Sequence, residues 1–112
     1  MTLREKQSLF VALVGNLIQY ASSLGYEMTF GETYRSPEES ARLAKLGKGI
    51  AKSLHTQRLA IDLNLFKGGV YLSDGESHRP LGEWWERQHP LARWGGRFSD
   101  GNHYSLEHGG RK

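Results

Sequence analysis

The 112-residue chain has no cysteine. That excludes disulfides, thiolate metal sites and a cysteine nucleophile. Any metal ion must be held by His, Asp or Glu. No apolar run approaches the roughly 20 residues of a membrane-spanning helix, so no stable membrane association is expected. No signal-peptide pattern covers the polar start Met1 to Lys6, which predicts synthesis and folding in a cytosol. No block of five or six like charges occurs. Fifteen Lys plus Arg against twelve Asp plus Glu leave a net charge of +3. The scatter argues against specific nucleic-acid binding, while the positive balance suits an anionic partner such as a cell-envelope polymer. There is no internal repeat, low-complexity tract or linker, so residues 1–112 are expected to form a single domain.

The hydrophobic pattern is that of a small α+β protein. Thr2 followed by Glu5 is a capping box, and Phe10, Leu13, Val14, Leu17 and Tyr20 recur at helical spacing. This predicts a helix over Leu3 to Ser23, closed by Gly25. Tyr26, Met28 and Phe30 alternate with polar residues, as in a strand. Ser36-Pro37-Glu38-Glu39 opens a second helix, with Ser36 as cap and Glu39 placed to close the box, ending near Leu46. Leu59, Ile61, Leu63 and Leu65 alternate with Ala60, Asp62 and Asn64, which is a strand. Lys67-Gly68-Gly69 then turns it back through Val70 to Leu72. Ser73 to His78 reads as a polar loop, Pro80 to Gln88 as a short helix, and Trp94 to Phe98 as irregular. His103 to Glu107 reads as a last strand, and Gly109 to Lys112 as a frayed tail. The three tryptophans are assigned to packing or to a cleft wall.

Five histidines stand at 55, 78, 89, 103 and 108. His78 and His89 are expected at the surface. Asp62 alternates with apolar residues, so it must face away from the core, toward a cleft. There a carboxylate is costly unless it meets a metal or an arginine such as Arg35 or Arg58. Asp100 precedes His103 by three residues across a glycine-containing turn. Two imidazoles and one carboxylate can fill three positions of tetrahedral zinc and leave a fourth for water, while a further carboxylate moves that water's proton. The parts on offer are His55, Asp62 and His103 for metal, and Asp100 for proton transfer. His108 competes with His103, but on a strand 103, 105 and 107 share one face and 108 points away.

Taken together, Ser53-Leu54-His55, Ala60-Ile61-Asp62, Trp94-Gly95-Gly96 and Asp100-Gly101-Asn102-His103 resemble the zinc D-alanyl-D-alanine carboxypeptidase superfamily. The likeness is to its VanY-like group, which includes phage L-alanyl-D-glutamate endopeptidases. Thr33-Tyr34-Arg35-Ser36 is similar to the family's strand-end arginine followed by a helix. The resemblance spans roughly Phe30 to Leu106. It implies an antiparallel sheet with N-terminal helices packed on it, the Hedgehog/DD-peptidase-like arrangement. It also implies Zn2+ on His55, Asp62 and His103, Asp100 as catalytic acid/base, Arg35 holding a substrate carbonyl or carboxylate, and Ser53 as a nearby contact to substrate or to the ligands. Two positions depart from the family pattern. Arg58 stands where a glycine is usual, and Asp100 stands where Glu is frequent.

The implied function is hydrolysis of peptidoglycan stem peptides by a monomeric phage endolysin, held in the host bacterial cytoplasm until release and then acting at the wall or in the periplasm. The alternatives are a D-Ala-D-Ala carboxypeptidase, a non-catalytic zinc-binding or wall-binding module on the same fold, and a small basic nucleic-acid binder.

Overall fold

The computed structural model describes residues 1–50 and 52–112. Helix α1 spans Leu3–Ser23, and its capping box closes as expected: the Thr2 hydroxyl accepts from the Glu5 N–H, and the Glu5 carboxylate accepts from the Thr2 N–H. Strand β1 is Tyr26–Phe30, helix α2 Pro37–Lys45, strand β2 Ala60–Lys67, strand β3 Val70–Tyr71 and helix α3 Arg79–Gln88. Strands β4 (Ala92–Trp94) and β5 (His103–Leu106) complete an antiparallel sheet in the order β1-β2-β5-β4, with β3 paired to β2 beside it. Among the described residues, three short 3-10 turns join these elements, at Leu54–Gln57, Gly75–His78 and Gly95–Phe98. Among the described residues, no helix is long and apolar enough to cross a membrane.

Period-two alternation splits the sheet into two unlike faces. Ile61, Leu63 and Leu65 of β2, with Tyr104 and Leu106 of β5, face one side and are buried. They meet Phe10, Leu13, Val14 and Leu17 of α1 and Leu81 and Trp85 of α3 in one core. Asp62 and His103 lie directly opposite each other on neighbouring strands, so both project from the other face.

The α+β architecture is the one the sequence predicts, with several local differences. The helices on the sheet are α1 and α3. Helix α2 stands to the side, with Ser40 as its only buried residue. The Ser36 hydroxyl does cap α2, but the Glu39 carboxylate binds the Arg42 guanidinium one turn on instead of returning to the cap. A charged partner on the same face outcompetes a backbone N–H. The stretch read as irregular begins inside β4, where Ala92 pairs with Leu106 and Trp94 with Tyr104. Three residues are too few to show alternation. The tail is not frayed, since His108 and Arg111 exchange backbone hydrogen bonds around Gly109-Gly110. His78 is buried, not exposed, because its ring packs against Tyr104 and shares a 2.7 Å hydrogen bond with the phenol. His89 is half-buried and accepts from the Leu91 N–H.

Candidate metal centre

Three separate pieces of backbone bring His55, Asp62 and His103 together. His55 sits in the 3-10 turn just before β2. The Ser53 hydroxyl caps that turn by accepting from the His55 N–H at 3.2 Å, so Ser53 acts as a support of the histidine. His55 Nδ1 lies 3.0 Å from the Thr33 carbonyl. A carbonyl only accepts, so Nδ1 carries the proton and Nε2 presents its lone pair. Asp62 is central in β2, and His103 opens β5 opposite it.

His55 Nε2 and His103 Nδ1 each lie 3.4 Å from Asp62 Oδ1, and one donor atom from each of the three residues falls within 4.8 Å of the others. Ligands about 2.0–2.2 Å from a tetrahedral ion are separated by about 3.3–3.6 Å along each edge. Both separations match that edge. They are also too long for good hydrogen bonds, and Asp62 Oδ1 is buried with no hydrogen-bond partner. A buried carboxylate oxygen without a donor is expensive, and a cation between the rings removes the expense. The residues present therefore fit a metal ion. The Thr33 carbonyl behind His55 is the kind of outer support that fixes a ligand imidazole's tautomer and orientation.

Electrostatics favour the charged carboxylate. Burial pushes Asp62 up, but the His103 and His55 imidazoles outweigh it and hold the carboxyl down at about 2. Burial likewise pushes His55 down, and Asp62, the Thr33 carbonyl and Glu32 outweigh it, so its pKa is raised.

Asp100 stands at the mouth of this centre, its Oδ2 3.8 Å from His103 Nδ1 and its side chain about half exposed. Burial raises its pKa and Asp62 adds to the rise, with His103 opposing it. The turn that carries it depends on Gly95. Asp100 N–H donates to the Gly95 carbonyl at 2.8 Å, and a Cβ on Gly95 would stand 2.1 Å from the Asp100 carbonyl oxygen and 2.7 Å from His103 Cβ. Trp94 anchors the same turn from below, its Nε1 donating to the Gly101 carbonyl at 2.7 Å. A cleft of about 530 Å³ opens beside Asp100, with Tyr71, Asp74, His78 and Asn102 among its walls.

The charge of Arg35 is felt at Asp100, where it lowers the pKa slightly. Arg35 is ion-paired to Glu32, a residue the sequence pattern does not mark. One glutamate three positions before an arginine at a strand end carries no distinctive signal. Arg58 does not pair with Asp62 either. It adopts φ 57°, the left-handed conformation that explains why a glycine is usual there, and its guanidinium lies 4.1 Å from the centre of the Tyr34 ring. His108 is remote from the centre and contacts the Lys6 ammonium.

No family model matches the chain, and no curated protein matches it. Among solved structures, the crystal structure of the Serratia marcescens L-Ala D-Glu endopeptidase ChiX superposes with a TM-score of 0.73. It covers 88% of this chain and 77% of that one at 19% sequence identity. The chain has the ChiX fold. The resemblance read from the Ser53–His55, Asp62 and Asp100–His103 blocks is thus matched by the whole architecture, and the His-Asp-His cluster lies within it.

Proposed function

We propose that this protein is a zinc-dependent peptidoglycan peptidase that cleaves the L-Ala–D-Glu bond of stem peptides. The observation that carries the reading is the convergence of His55, Asp62 and His103 on one face of this fold, with Asp100 beside them at the cleft. Two imidazoles and a carboxylate make a donor set that suits zinc. When bound, the ion would polarise the scissile carbonyl and make a water nucleophilic near neutral pH.

The chain's own residues supply the rest. Asp62 contributes the negative charge and His55 and His103 the neutral donors. Asp100, with its raised pKa, accepts the proton of the attacking water and passes it to the leaving amine. Arg35 offers N–H donors to the peptide. Ser53 and Thr33 hold His55 in register.

The phage endolysin setting belongs to the same proposal: a catalytic domain made in the host cytoplasm, acting at the wall once the membrane is opened. It is supported by the likeness to the phage group, in which Asp occurs at the position of Asp100. The deciding experiment measures metal content and digests purified peptidoglycan, with mass analysis of the products. About one zinc per chain and new N-terminal D-Glu are expected. Release of D-Ala would make the protein a carboxypeptidase instead, and full lysis by a folded His55→Ala variant would end the peptidase reading.

A further inference from the structure

Residues 31–35 run past the metal centre as a strap. Gly31 N–H donates to the Asp62 carbonyl at 2.8 Å, and Asp62 N–H donates to the Glu32 carbonyl at 2.9 Å. The Thr33 carbonyl receives His55 Nδ1, and Arg35 N–H donates to the His55 carbonyl at 3.2 Å. On this strap the Glu32 side chain is placed between two groups of the site. Its Oε1 is bound by Arg35 Nη2 and lies 3.7 Å from His55 Nδ1.

An arginine captures a carboxylate with an uncompensated positive charge and a free pair of parallel N–H groups. Arg35 has neither. One branch of its fork is taken by Glu32, and the pair is close to neutral as a unit. What remains for a substrate is a small part of the guanidinium, since the side chain is 15% exposed and its Nε is buried. A substrate carboxylate arriving here would also face the Glu32 oxygens, which carry the same sign of charge.

We propose that the Glu32–Arg35 pair selects for an uncharged carbonyl or amide of the substrate over a carboxylate, with Glu32 as the positioning residue. The proposal rests on the peptidase reading above and narrows it. A D-glutamyl residue places one carboxyl in the chain and keeps a second beside it, and this second group is either a free carboxylate or its primary amide. The pair accepts the amide form at least as well as the acid form, and it disfavours substrates recognised by a terminal carboxylate.

The test compares two synthetic stem peptides, identical except that the D-Glu side group is the acid or the amide, on the zinc-loaded protein and on Glu32→Gln. That substitution keeps the size and one acceptor oxygen but removes the charge. In the wild type, KM for the amide form should equal or fall below KM for the acid form. In Glu32→Gln the ratio should swing toward the acid form by tenfold or more, whereas a purely structural defect would move both peptides together. Glu32→Asp, which keeps the charge, should keep the wild-type preference. A wild type that favours the acid form tenfold, or a folded, zinc-loaded Glu32→Gln with an unchanged ratio, overturns the inference. If Glu32→Gln fails to fold, the wild-type ratio decides. If zinc binds and neither peptide is cut, the peptidase reading falls. The dissociation constants of the same two peptides, measured by calorimetry, then decide the inference separately, and absence of binding to both ends it.

Discussion

The two faces of the central sheet are built from alternate residues of the same strands, yet they obey opposite rules. On the core face Leu63, Leu65, Tyr104 and Leu106 are fully buried, and every neighbour is apolar or satisfied. The Tyr104 hydroxyl has His78, and the Trp85 Nε1–H reaches the Arg93 and Ser105 carbonyls. On the other face Asp62 Oδ1, His103 Nε2 and Ser105 Oγ are buried without partners. A fold stabilised by the first face can carry unsatisfied groups on the second. This is where a site prepared for a cation is expected to break the packing rules.

Leu63 on β2 and Asp100 on the turn into β5 give the sharpest contrast. Leu63→Ala removes a fully buried side chain and should lower stability by about 2–5 kcal/mol, read from denaturant unfolding, with activity falling only as the fold does. Asp100→Asn should do the reverse. Loss of the general acid/base costs about 10²–10⁴ in turnover, while zinc content stays level and thermal stability holds or rises slightly, because burial disfavours the charge that the substitution removes. If Asp100→Asn keeps full turnover, the functional half of the contrast fails.

A smaller effect should appear in the pH dependence of stability. Burial lowers His78 from 6.5 to about 4. The unfolded chain therefore takes up this proton first as pH falls. The contribution of His78 is complete above about pH 6.5, declines through the interval down to about 4, and amounts to about 3 kcal/mol at most. Unfolding of the metal-free protein across that interval should show a flatter slope in His78→Leu than in the wild type. An equal slope would mean that the core face does not hold His78 neutral.

The smallest effect concerns Arg58. Glycine there relieves the left-handed backbone, a gain of about 1 kcal/mol, but gives up the Tyr34 contact, about 0.5–1 kcal/mol at an exposed site. Arg58→Gly should leave the unfolding midpoint nearly unchanged. A shift of many degrees in either direction would show that one of the two effects is absent.

Much of this arrangement can be read from residue order. Helix α1 has its bounds written in Thr2, Glu5 and Gly25, and β2 in the alternation from Leu59 to Leu65. The Gly68-Gly69 turn needs positive φ at both residues and has it. The candidate ligands were legible for a similar reason: Asp62 is a carboxylate in an apolar alternation, and Asp100 and His103 share one glycine-containing turn. The short pieces were not legible. Strand β4 has three residues, and its place depends on β5, which is distant in sequence. His78 looks polar and local, but its environment is the phenol of Tyr104. Glu32 matters only because Arg35 and His55 are folded against it.

Local periodicity, caps and turn chemistry dictate which segments are helix and strand and which side chains turn away from the core, because these depend on neighbours within a few residues. The meeting of His55, Asp62 and His103, the neutralisation of Arg35 by Glu32 and the burial of His78 depend on strand register and on which surfaces pack together. Those contacts join residues far apart along the chain, and they form once the apolar face has closed against α1 and α3.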